Sequence, residues 1–195
     1  FIQDMDYQLD SSITLNSLTT DLLNNLRSYN SDKAKDERVN LYGIDYNPNI
    51  SSTQNSTLAI FDFITALNQE MQLPEVDQFA LLLMEEDFPN AIDFLDAYGD
   101  KLDELLTTDE IESIVHILRV SQQMGRDRIE RMEKRDYVMF LNAKFLIDKF
   151  AKVKDVKTII YEHAAHINPI STYPAVPCTP FGCYMHDEYS ENYSP

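Results

Sequence analysis

Leu15, Leu18, Leu22 and Leu26 recur at helical spacing, and Tyr29 continues the same face until Asn30-Ser31-Asp32 ends it with turn chemistry. After a charged connector from Lys33 to Arg38, the pattern reads as a short strand, Val39 to Tyr46, closed by Asn47-Pro48-Asn49. A polar loop follows, and then Leu58, Phe61, Ile64, Leu67 and Met71 share one helical face before Pro74 breaks the run. Glu75 to Met84 and Asn90 to Tyr98 read as two short helices, separated by Pro89, with the second stopped at Gly99. Asp100 to Leu106 adds a further helical turn or two. Thr107 with Glu110 forms a capping-box signature that opens a long apolar-periodic run ending at Phe150. Its length predicts two helices, or one bent near Gly125. A second strand spans Asp155 to Glu162 around the β-branched Thr158-Ile159-Ile160. Pro169, Pro174, Pro177 and Pro180 preclude regular structure up to Phe181, and a short helix follows from Cys183 to Tyr189.

This order predicts an α/β fold: a parallel or mixed sheet carrying a large helical insertion over 55–150, mostly helical by residue count and forming a single domain. The long helical connection between the two strands favours placing them parallel.

Composition narrows the function classes. A chain of 195 residues with 44% hydrophobic content can bury one sizeable core. Its formal charge of −17 argues against a nucleic-acid partner, because neutralising phosphates requires clustered Lys and Arg. No stretch approaches the ~18 uninterrupted apolar residues of a membrane span. Cys178 and Cys183 sit in CTPFGC, which could close a small loop if oxidised. The pair is neither a disulfide framework nor a Cys-x-x-Cys redox motif, and both read as packing thiols.

Two constellations carry candidate chemistry. His163 and His166 follow the second strand in EHAAH. Their spacing can bind a metal, but zinc sites need three or four ligands, and no spacing groups Glu162, His186 or Asp187 with them. A histidine pair held by backbone partners is the more common arrangement. A position at a strand's carboxyl end, before an irregular loop, favours a site, and Asp45 has the same kind of position on the first strand. The second constellation is Arg135 and Asp136, with Asn142 nearly two helical turns later. These read either as a solvated helix face or as an arginine fork that steadies a developing negative charge beside a histidine. With four glycines in the chain, there is no Gly-x-Ser-x-Gly elbow, phosphate loop or dinucleotide fingerprint. Water activated by a histidine or carboxylate fits the residues better than a serine nucleophile.

Three blocks, RDYVMFLNAKFLIDKF, KTIIYEHAAHI and FGCYMHDEYSENY, together resemble the second half of the erythromycin esterase family. The correspondence rests on Arg135, Asp136, Met139 and Asn142, then His163 and His166, then Gly182, Tyr184, Tyr189 and Tyr193. The earlier LRSYNSDKAKDERVNLYGIDYNPN resembles that family's approach to its Gly-Phe/Ile-Asp strand. The resemblance implies a hydrolase acting on a small-molecule carboxylic ester or macrolactone without a metal or other cofactor. It implies His163 as an active-site histidine, Arg135 as its electrostatic assistant, and His166 and Asp45 as substrate-lining residues. Ala164 stands where the family often has Asn. The family's Gly-Glu-x-x-His-Gly segment, which carries its general base, has no counterpart here. The chain therefore reads as an internal portion of such a domain and catalytically incomplete. Two other readings remain open: a non-catalytic helical α/β interaction module, and a His-based metal-binding protein. In each case a sheet cut at both ends would leave unpaired edges that favour association between copies.

Overall fold

The computed structural model describes residues 17–34, 37–45, 60, 74–102, 106–123, 128–152, 157–162, 164–168 and 179–195. Two compact units divide the chain, 1–43 and 44–195.

In the first unit, helix α1 spans Ser17–Asn30. Its end is tied by Asn30, whose Nδ2 donates to the Val39 carbonyl at 2.8 Å while its Oδ1 accepts the Val39 amide at 2.9 Å. One side-chain amide thus does what a backbone pair would do in a ladder, and it brings Val39 back to the end of the helix. Leu15 and Tyr46, part of the expected first helix and strand, lie outside the described residues.

In the second unit, α2 (Pro74–Met84), α3 (Phe88–Leu102) and α4 (Thr108–Gln123) form a helical layer. Phe79, Leu83, Ala91, Leu95 and Leu118 are each at most 1% exposed and share one cluster, which also buries Ile60. Ile60 is helical; the remainder of the helix expected over Leu58 to Met71 lies outside the described residues. Pro74 opens α2 and Pro89 sits in the first turn of α3, positions where the missing N–H costs nothing. Asp87 caps α3, accepting the Asn90 amide at 3.4 Å. Gly99 does not stop that helix, which continues to Leu102. The capping box before α4 forms as the sequence predicts: Glu110 Oε2 accepts the Thr107 amide at 2.8 Å, and Thr107 Oγ1 accepts the Glu110 amide at 3.3 Å.

Helix α5 (Arg128–Ala151) is about 36 Å long at 1.5 Å per residue. Glu130 and Met132 to Lys134 are exposed, whereas Asp136, Val138, Met139, Phe140 and Ala143 are buried. Its C-terminal half packs on α7 (Phe181–Tyr189) through Met139, Phe140, Phe181 and Met185. Lys144 bridges the two helices by pairing with Glu188 on α7 and with Asp148 on its own helix. The one-turn helix α6 (Ala164–Ile167) lies between them in sequence. Tyr193, beyond a 3₁₀ turn at Ser190–Asn192, donates its hydroxyl to the Ile167 carbonyl at 2.8 Å.

The expected α/β sheet is not formed: among the described residues there are helices and no strand. Residues 39–45 and 157–162, where the sequence predicts strands, take up no regular secondary structure; a strand exists only when a second segment supplies ladder hydrogen bonds about 4.8 Å away. Neither segment has that partner among the described residues. Ile44 and Ile160 instead rest their side chains on the α5–α7 cluster. No helix among the described residues is long and apolar enough to cross a membrane.

Candidate functional site

Helix α5 places two adjacent charged residues at the point where it passes from solvent into the core. Successive helical residues point in different directions, so Arg135 and Asp136 meet different partners. Arg135 donates from Nε to Asp45 Oδ1 at 2.8 Å and from Nη2 to Asp45 Oδ2, a bidentate fork on a carboxylate. Their side chains are 28% and 39% exposed. The Asp45 hydrogen bonds hold the guanidinium above its ordinary pKa, against the opposing effect of burial, and the Glu162 and Asp136 charges add to this. Asp45 is held in reach by its neighbour: Asn142 Nδ2 donates to the Ile44 carbonyl at 3.0 Å.

Asp136 turns inward. Its carboxylate is 4% exposed and accepts the Phe181 amide, at the first residue of α7, at 2.8 Å. The N-cap residue Pro180 makes no side-chain capping bond, so this buried anion satisfies one of the unpaired amides of α7 and complements the helix dipole. The same carboxylate lies 2.9 Å from Nδ1 of His166 through each of its oxygens. A carboxylate can only accept, so Nδ1 carries the proton and, in the neutral ring, the lone pair lies on Nε2. One buried carboxylate thus fixes the tautomer and orientation of an imidazole that is itself 22% exposed.

Behind this pair, His116 on α4 lies flat against Phe145, with ring centroids 4.0 Å apart and an interplanar angle of 6°. Its Nε2 is 2.9 Å from Asn142 Oδ1, so His116, Asn142 and the Ile44 carbonyl form one hydrogen-bonded line. Burial lowers the His116 pKa, with the Arg119 charge adding to the effect and the Asn142 bond opposing it.

The sequence-predicted residues therefore separate into two pairs, Arg135 with Asp45 and His166 with Asp136. Arg135 is engaged by a carboxylate, not directed at a histidine. Asp45 contacts the arginine from an irregular segment, not from the end of a sheet strand, and the same correction applies to the strand-end position given to His166. His163 lies outside the described residues. The residue that spacing missed is Asp136 as partner of His166, thirty positions away. Its signal was the helical stripe: Asp136, Met139 and Ala143 share a face, and a carboxylate on an apolar stripe must be paired. Asn142 joins a packing line, and nothing in the sequence marked His116.

Among the described residues, no group of three or more His, Cys, Asp or Glu side chains is placed to hold a metal ion. His186 and Asp187 are exposed on α7, and Cys183 on that helix is half-buried. No protein-family model matches the sequence, and comparison with curated proteins and with solved structures gives no match.

Proposed function

We propose that this chain carries part of an ester-hydrolysing site related to that of the erythromycin esterase family, with His166 acting as an imidazole base in place of the family's Gly-Glu-x-x-His-Gly histidine, which has no counterpart here, and Arg135 as a supporting cation. The observation that carries the reading is the Asp136–His166 pair: a buried carboxylate bonded to Nδ1, which leaves the basic lone pair on the other ring nitrogen. In this reaction Nε2 takes a proton from water as the water oxygen bonds to the ester carbonyl carbon. The tetrahedral intermediate then expels the alkoxide, which recovers the proton from the ring. Arg135 supports the negative charge developing on the carbonyl oxygen. A guanidinium has five N–H donors, and Asp45 engages two of them. The substrate is a small carboxylic ester or lactone. The resemblance to the family's three sequence blocks favours a macrolactone and assigns His163 to the same site.

An activated aryl ester tests the reading, since its hydrolysis needs little more than a positioned base. His166→Gln should lower turnover by ~10²–10⁴-fold, the usual contribution of a general base. Turnover equal to that of the unaltered chain would remove His166 from the chemistry.

A second reading is favoured by a specific observation: each polar group on this part of α5 also holds a flanking segment in place. Arg135 and Asn142 hold Asp45 and Ile44, and Asp136 holds the start of α7. On this reading the chain is a helical interaction module and the pairs are latches. Thermal destabilisation by these variants, with the chain's ester turnover left unchanged, would select it.

A further inference from the structure

Helix α5 turns Asn142 and Phe145, one helical turn apart, toward the same imidazole on α4. Phe145 meets the face of the His116 ring, and Asn142 Oδ1 meets its edge, 2.9 Å from Nε2. A ring held at once by face and edge has a fixed position and a fixed orientation. Lys149 closes the same seam further along: its Nζ donates to the Asp109 carbonyl at 3.0 Å and to Ser113 Oγ at 3.1 Å, and lies 5.7 Å from the centre of the Phe145 ring.

The direction of the hydrogen bonds follows from the acceptor at the far end. The Ile44 carbonyl can only accept, so the NH₂ of Asn142 faces it and the amide oxygen faces His116. That oxygen also can only accept, so the imidazole donates. Nε2 of His116 therefore carries the proton and, in the neutral ring, the lone pair lies on Nδ1. This is the opposite tautomer from His166, whose proton Asp136 holds at Nδ1. Reversing the His116 tautomer would turn the amide and set its oxygen against the Ile44 carbonyl.

The line ends one peptide short of Asp45, in a segment with no regular secondary structure. Arg135 and Asn142 stand nearly two turns apart on α5 and so share a face. They grip neighbouring points, Asn142 the Ile44 carbonyl and Arg135 the Asp45 carboxylate. We propose, on the reading of Arg135 as the cation of an ester-hydrolysing site, that His116 is a positioning residue for that cation, acting through Asn142, the Ile44 carbonyl and Asp45. Asp45 takes two guanidinium donors and sets the plane of the fork, so whatever places Asp45 decides where the remaining donors point. A displaced fork supports the charge of the transition state less well while the ester still binds. The effect therefore falls on kcat and leaves KM in place.

Two replacements of His116 separate the hydrogen bond from the ring. His116→Gln keeps a donor near the place of Nε2 and loses the stacking on Phe145, whereas His116→Phe keeps the stacking and loses the donor. Exchange of the Arg135 Nε proton with water, read from its ¹H–¹⁵N signal, reports without any substrate how firmly Asp45 holds the fork. His116→Phe should speed this exchange about five- to tenfold, the worth of one hydrogen bond, and His116→Gln should stay within about twofold of the parent. Asn142→Asp sets an acceptor against the Ile44 carbonyl while keeping one for His116, and should speed the exchange at least as much as His116→Phe. On an aryl ester, kcat should fall about tenfold in His116→Phe with KM held, and His116→Gln should restore it. The Nδ1 proton of His166 should stay in place in all three variants.

Exchange in His116→Phe equal to that of the parent, equal acceleration in the Phe and Gln variants, or full kcat with a loosened fork overturns the proposal. A parent chain with no ester turnover would fall on the ester reading alone, and the exchange rates would still uphold or overturn the line from His116 to Arg135.

Discussion

Replacing Asp136 in two ways separates what this carboxylate does for folding from what it does for His166. In Asp136→Ala the buried Phe181 amide loses a charge-assisted acceptor, a loss of about 1.5–3 kcal/mol. His166 also loses its partner, but its side chain is 22% exposed and water can replace part of that bond, so this adds only about 0.5–1 kcal/mol. A total near 3 kcal/mol lowers the melting temperature by roughly 6–12 °C for a chain of this size. In Asp136→Asn the amide oxygen still accepts from Phe181, and the NH₂ can donate to Nδ1 once the ring takes its other tautomer. The stability cost then falls to about 1 kcal/mol. Catalytically the order differs: Asn forces the proton onto Nε2 and removes the basic lone pair from the nitrogen assigned to act, so turnover should fall by ~10²–10⁴-fold despite near-normal folding. Thermal melts of both variants, with aryl-ester turnover alongside, give the comparison. The reasoning is refuted if Asn melts as low as Ala, or if Ala melts within about 1 °C of the parent, a shift too small for a shared buried acceptor.

Two further outcomes follow from the same geometry. His116 is kept neutral by burial and its pKa is lowered, so the unfolded chain binds its proton more readily than the folded one. Its contribution to stability is complete above the unfolded value of about 6.5 and is lost as pH falls from there through the folded value. Denaturant melts of His116→Gln should show a flatter stability profile in that window than the parent, and an equally steep one contradicts the assignment. Glu86 has φ of 55° where α2 ends, and the Asp87 amide bonds back to the Leu82 carbonyl at 2.9 Å, an arrangement that suits glycine. Glu86→Gly should raise stability by about 0.5–1 kcal/mol in chemical denaturation, and a loss of that size would show that the strain is not there.

The sequence was informative where structure is local. Thr107 and Glu110 meet as a capping box because both partners lie within one helical turn. The helices containing Phe79, Leu95, Ile114 and Met139 follow from apolar spacing that each element satisfies against its neighbours. Gly99 shows the limit of that reasoning, since one glycine costs a helix about 1 kcal/mol and does not stop it. The sheet was inferred from the β-branched pattern of two segments, yet sheet formation depends on a non-local partner that no single stretch encodes. Ile44 and Ile160 are satisfied by side-chain packing on α5 and α7, and no ladder among the described residues joins their segments. The same holds for the site. Arg135, Asp136 and His166 were individually visible, but which carboxylate meets which cation depends on how 44–45 and 164–167 dock on α5. The spacing pointed to Arg135 beside a histidine, whereas Asp45 takes the arginine and Asp136 takes the imidazole.

Asp136 fixing the proton of His166 at Nδ1 is what the proposed chemistry depends on most. Long-range ¹H–¹⁵N correlation of the histidine side chains, recorded on the neutral ring, reads this without any substrate. The unaltered chain should show His166 with a protonated Nδ1 and a lone-pair-type Nε2, and Asp136→Asn should reverse the two. A protonated Nε2 in the unaltered chain would contradict the role assigned to Asp136 and, with it, His166 as the base.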